Sequence, residues 1–275
     1  MRKKNIPAIN TIEPEIIQSL KTWFNEYVAG FVSEEPEIQR NFDLKREHTY
    51  RVCDDILDIG RRLRLDDQYL RIAEITALFH DIGRFEQFRD YLTFLDRRSV
   101  DHAHLGVRIL RRHDVLKRLE PSIREIIYKA IEYHNRAGLP EDESEVCLFF
   151  AKLLRDADKL DIWRVVIEFS ISGYQVGRPR PNQVDLIPDT PGYSPEVITD
   201  LMNQHIVDLR HVVNHNDIKL LRIGWVYDLN FLPTFEIVRE RDYLSRLSAM
   251  LPPSPMLDTI VARAEEYIAE KLLRK

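Results

Sequence analysis

Apolar residues along this chain recur at intervals of three and four, the spacing of one face of an α-helix, and strand-like alternation is hard to find. Between residues 13 and 30, Ile16, Ile17, Leu20, Trp23, Phe24 and Val28 make a broad apolar face, which predicts a leading helix. After a connector over residues 34 to 46, a second face runs through His48, Val52, Ile56, Ile59 and Leu63. The apolar run from Ile72 to Phe79 ends in His80-Asp81, followed by Ile82-Gly83-Arg84. Asp101 is a good N-cap for a helix that carries His102, Gly106, Ile109 and Leu110. Pro121 suits the start of the next helix, in which Ile123, Ile126, Ile127, Ala130 and Ile131 lead in register to His134. In the helix after that, Phe150 and Leu154 set a stripe that Asp158 and Asp161 continue. The expected fold class is all-α.

Past Trp163 the pattern changes. Residues 173 to 195 hold Gly173, Gly177, Pro179, Pro181, Pro188, Pro191, Gly192 and Pro195, which predicts an irregular loop, with Arg178 and Arg180 either on its surface or in contact with substrate. Helices are expected over 197–213, 219–231 and 235–250, then a break at Pro252, Pro253 and Pro255 and a final amphipathic helix from Met256 to Leu273. This divides the chain into an N-terminal helix and connector (1–40), a core (41–165), and a loop plus helical extension packed on that core (166–275).

The chemistry lies in where the histidines and aspartates fall. A lone histidine on an apolar face usually finds a hydrogen-bond partner in the core. Here five predicted helices each carry a histidine or aspartate at an end or along an apolar face, and buried carboxylates are costly without a partner. A bound cation satisfies several such groups at once.

The order His48, then His80-Asp81, then Asp158 resembles the HD-domain superfamily of metal-dependent phosphohydrolases. The contexts are His48-Thr-Tyr-Arg-Val, Ala77-Leu-Phe-His-Asp-Ile-Gly-Arg and Asp156-Ala-Asp-Lys-Leu-Asp. The stretch from His102 to Gly106 is similar to the histidine-x-x-x-glycine helix start of members that bind two metals, and Tyr133-His134-Asn135 resembles their later histidine element. The likeness covers residues 40 to 165. It implies an HD-domain helical bundle with core ligands His48, His80, Asp81 and Asp158, and with His102 and His134 as further ligands around a bridging Asp81. His104 is an alternative to His102 or a substrate contact. Asp156 is then a solvated or capping carboxylate and Asp161 an acceptor behind the ligands. Asp81 would orient or share the attacking water, and Arg84 would neutralise phosphate charge, with Arg51 and Lys159 as further candidates for that role.

The implied activity is hydrolysis of a phosphomonoester or phosphodiester, of a nucleotide or related small molecule, by a metal-activated water. The implied cofactor is one or two divalent ions of Mn, Fe, Co, Ni, Zn or Mg, since the ligands are nitrogen and oxygen with no thiolate. Three other readings stay open: an HD-fold di-iron oxygenase, a non-catalytic nucleotide-sensing module, and a helical adaptor whose histidines are structural. The chain departs from the HD-GYP cyclic dinucleotide phosphodiesterases, because His134-Asn135-Arg136-Ala137-Gly138-Leu139-Pro140 has one histidine and no Gly-Tyr-Pro.

Composition adds exclusions. A net charge of −5 in 275 residues gives no global basic field for a nucleic-acid polymer. Cys53 and Cys147 are too few for a disulfide framework. The basic stretch from Met1 to Pro7 is followed by no apolar run, and no segment has membrane-spanning length, so a cytoplasmic enzyme with a small phosphorylated substrate is expected, with a homodimer possible.

Overall fold

The structure is a computed structural model, which describes residues 11–171 and 187–273. Among these residues there is no strand, and the all-α expectation holds. By contacts the chain divides into two compact units, Met1–Asp158 and Lys159–Lys275.

In the first unit, α1 (Pro14–Val28), α2 (Pro36–Arg62), α3 (Asp67–Phe79), α4 (Gly83–Tyr91), α5 (His102–Arg112) and α6 (Pro121–Tyr133) precede the start of α7 (Glu145–Ile171). The expected connector over 34–46 is a correction: with Pro36 in its first turn, where a missing N–H costs nothing, α2 is already helical from that residue. The central pair is α2 against α3, and α3 also packs on α1 and α6. Phe24 of α1 is completely buried and meets Phe79 and Phe85 edge-on, with ring centroids 6.3 and 6.2 Å apart. Tyr69 lies 5.6 Å from Phe150 and so joins α3 to α7.

Two features set the position of the polar cluster. Gly83, at the start of α4, lies so close to α5 that a Cβ there would collide with the His102 carbonyl oxygen and come within 2.7 Å of the Gly106 nitrogen. Glycine at this crossing lets His102 approach Asp81, two residues before Gly83. The connector from Leu92 to Asp101 is also fixed. Leu92 ends α4 in the left-handed region (φ 51°), and the fully buried Gln87 reaches Asp96, Ser99 and the Val100 carbonyl at 2.8–2.9 Å. This is an ordered strap.

The second unit holds the end of α7 with α8 (Pro195–Met202), α9 (His215–Gly224), α10 (Leu232–Glu240), α11 (Tyr243–Ser248) and α12 (Pro255–Leu273). The three helices expected before Pro252 are shorter than the periodicity predicts, while α12 agrees with it. The expected 197–213 helix stops at Met202, where Asn203 caps it and Gln204 turns left-handed (φ 56°). The expected 219–231 helix starts at His215, because the Asn214 and Asp217 side chains form a capping box, and it tightens into a 3-10 turn at Trp225–Asp228. Asp242 (φ 51°) splits the expected 235–250 helix in two. Each break occurs at a residue whose side chain tolerates or stabilises non-helical backbone, which apolar spacing does not register. Trp163 is fully buried and donates its indole N–H to the Arg222 carbonyl at 2.9 Å. Arg178 and Arg180, with most of the expected 173–195 loop, lie outside the described residues. No described helix is long and apolar enough to cross a membrane.

Candidate metal centre

Three helix ends and two helix faces converge in the first unit. His80 caps the C-terminus of α3 and Asp81 follows it. His134 caps the C-terminus of α6, His102 opens α5, His48 lies mid-way along α2, and Asp158 projects from α7. All four histidines and Asp81 are buried, and the Asp158 side chain is 18% exposed.

Asp81 stands at the centre, with a different set of neighbours on each oxygen. Its Oδ2 lies 3.5 Å from His48 Nε2 and 3.6 Å from His80 Nε2. Asp158 Oδ1 completes that group, 3.1 Å from His48 Nε2 and 3.7 Å from His80 Nε2. The Oδ1 atom of Asp81 faces His102 Nε2 at 3.3 Å and His134 Nε2 at 3.9 Å. His48-His80-Asp81 and Asp81-His102-His134 therefore each form a group of three mutually close donor atoms.

Proton placement shows what these groups lack. His80 Nδ1 is 2.7 Å from the Ala77 carbonyl and His134 Nδ1 is 2.6 Å from the Ile131 carbonyl. A carbonyl only accepts, so each Nδ1 carries the proton and each Nε2 presents a bare lone pair. His102 is fixed the same way by Asp96, whose Oδ2 is 2.7 Å from its Nδ1. Burial pushes His102 and His134 down to about 4, helped by Arg84 at the first and by His80 at the second. His80 is lowered too, again chiefly by burial. All three rings are thus neutral near pH 7. The contacts of His102 Nε2 with His134 Nε2 (3.1 Å) and of His48 Nε2 with His80 Nε2 (3.2 Å) bring nitrogens together, and between His102 and His134 no proton is available.

The donor set fits divalent metal. Ligands at about 2.1 Å from one ion lie about 3.0 Å apart at right angles and about 3.4 Å apart in a tetrahedron. The separations here, 3.1 to 3.9 Å, fall at and slightly above that range. Only nitrogen and oxygen donors are present, which suits Mn, Fe, Co, Ni, Zn or Mg. Both carboxylates are ionised. Burial opposes this at Asp81, but the charges of Lys45 and Arg84 hold it well below the usual carboxylate range. At Asp158 the same penalty is overcome by several contributions together, led by the hydrogen bond and the charge of His48.

Two residues of the centre were not singled out by the sequence. Lys45 Nζ lies 2.6 Å from Asp81 Oδ2. Its signal was its place three residues before His48, on the same helical face, but it reads as part of the charged run Lys45-Arg46-Glu47. Asp96 accepts from His102 Nδ1, from Arg84 and Gln87 at 2.9 and 2.8 Å, and from Asn135 at 3.2 Å. It stands in an aperiodic strap that gives no sequence signal.

The other expected site residues are dispersed. Arg84 Nε is 3.4 Å from Asp81 Oδ1, while its Nη1 serves Gln87, Asp96 and the Phe94 carbonyl. Arg51 pairs with Glu47 at 3.5 Å. His104 faces outward, 66% exposed and 3.7 Å from Glu132, in a cavity of about 340 Å³ that Arg108 and Arg136 also line. Lys159 is buried with its ammonium on Asp228 at 2.7 Å. Asp156, expected to be solvated or capping, is completely buried, a correction that follows from its place on the inner side of α7. Asp161 is likewise buried, 3.8 Å from Arg164.

An HD-domain family model matches residues 46–163, a span that contains every candidate ligand. The match agrees with the resemblance in its sequence, and the matched segment contains His/Asp groups that could hold a metal ion. Neither the curated proteins nor the solved structures include a match to the chain.

Proposed function

We propose that this chain is a metal-dependent phosphohydrolase, acting on a phosphomonoester or phosphodiester of a nucleotide or related small molecule. The observation that carries the reading is the division of Asp81, one carboxylate oxygen turned to His48 and His80 and the other to His102 and His134. In this reading His48, His80, Asp81 and Asp158 would hold one metal, and Asp81, His102 and His134 would hold a second. Divalent metal bound there lowers the pKa of a coordinated water and polarises a phosphoryl oxygen. The protein's own contribution is orientation. The Ala77 and Ile131 carbonyls and Asp96 fix which nitrogen each imidazole offers, and Arg84 balances the charge of Asp81 from beside Oδ1.

The test is phosphate release from a panel of phosphoesters, with added Mn, Fe or Co, by wild type and Asp81→Asn. Metal-dependent release that a chelator and the substitution both abolish is expected. Metal binding without phosphate release, accompanied by iron-dependent O₂ uptake, would overturn the proposal in favour of the di-iron oxygenase.

A further inference from the structure

Lys45 stands one turn before His48 on α2, with its side chain 16% exposed and its ammonium 5.3 Å from the centre of the Phe94 ring. Among the described residues its single hydrogen-bond partner is Asp81 Oδ2, the oxygen that also faces His48 and His80. It makes no hydrogen bond to His48, His80 or Asp158, so it stands beside that donor group and not within it. An ammonium has three N–H donors, and two of them here are unspent. Arg84 differs, because its Nη1 already serves Gln87, Asp96 and the Phe94 carbonyl and so ties the strap to α4.

From this geometry we infer that Lys45 is the phosphate-holding group of the site. The inference rests on the phosphohydrolase reading. With divalent metal held by the neighbouring donors, the two free N–H groups of Lys45 would hold non-bridging oxygens of the phosphoryl group of the substrate and of inorganic phosphate as product. A charged donor fixed beside the reacting group also offsets the charge that builds there. Lys45 would then be a catalytic residue that sequence spacing alone left among solvated charges.

The experiment is calorimetric titration of the full-length, Mn-loaded chain with inorganic phosphate, in wild type, Lys45→Met and Lys45→Gln, with metal content measured on each. Both variants are expected to keep the wild-type metal content and to bind phosphate about 10-fold or more weakly. Turnover of a phosphoester should fall by about 10²- to 10³-fold in kcat/KM. Unchanged phosphate affinity in both variants would overturn the inference. Loss of metal in both would also overturn it, because Lys45 would then serve only to support Asp81. A metal-loaded wild type that neither binds phosphate nor releases it from esters would overturn the phosphohydrolase reading itself.

Discussion

Each unit of this chain buries a polar cluster, and the two clusters are finished to different degrees. In the second unit the fully buried Asp217 accepts from the Ser194 backbone (2.8 Å) and hydroxyl (2.6 Å), from Val213 N (3.0 Å) and from Asn214 N (3.2 Å). Its own N–H donates to Asn214 Oδ1 at 2.9 Å. These donors and acceptors satisfy one another, and the result is a structural knot that starts α9. In the first unit His80, His102 and His134 have spent their Nδ1 protons on carbonyls and on Asp96, and their Nε2 atoms turn bare lone pairs into the cluster. Burial alone does not separate a structural cluster from a ligand site. The separating observation is whether the hydrogen bonds close.

The largest effect that tests this difference is pH dependence in the metal-free chain. His102 and His134 are held at about 4, below their ordinary value of 6.5, chiefly by burial. The unfolded chain therefore binds protons that the folded chain refuses between about pH 6.5 and 4. Their contribution to stability is complete above that window and is lost as pH falls through it, on the order of 3 kcal/mol per imidazole at most. Asp96 and Asp158, also held low, extend the loss below the ordinary carboxylate range. Urea unfolding across this range after chelation measures the effect, and a flat profile would mean that the imidazoles are not buried neutral.

Next in size is Asp217→Ala, which leaves buried donors without an acceptor and should cost about 3 kcal/mol of unfolding free energy. The same loss should appear with and without chelator, since that cluster needs no ion. A cost that vanished on chelation would blur the contrast between the two units.

Asp96→Asn sharpens the comparison within the centre. His80 and His134 lean on neutral carbonyls, whereas His102 leans on a carboxylate. Removing that charge should weaken one metal equivalent by about 10- to 100-fold and leave the other nearly unchanged. Equal weakening of both would show that Asp96 supports the fold of the strap and does not tune His102. The smallest effect is expected of Arg111→Ala. Arg111 and Glu125 are both 55% exposed at 3.4 Å, a pair that water already satisfies, and the change should be under about 0.5 kcal/mol in thermal unfolding.

Much of the site was legible because its residues lie on regular helices. His48, His102 and Asp158 occupy positions that helical spacing marks as inward, and His80 and His134 end apolar runs in register. Lys45 shares the face of His48, but nothing in a local charged run shows that one lysine folds inward onto a carboxylate 36 residues away. Asp96 depends on a strap whose path is set by Gln87 and Arg84, contacts that no periodicity encodes. In the second unit the overlong helices have the same origin. Gln204, Asn214 and Asp242 end or start helices through left-handed or side-chain geometry that apolar spacing passes over.

The most direct measurement for the shared role of Asp81 is metal content by elemental analysis of the full-length chain, purified without chelator or metal-binding tag, beside Asp81→Asn. The division of its two oxygens predicts about two equivalents of divalent metal in wild type and a loss of both in the variant. No metal in wild type, and no change in stability when metal is added back, would contradict the account and leave the facing imidazoles without a ligand.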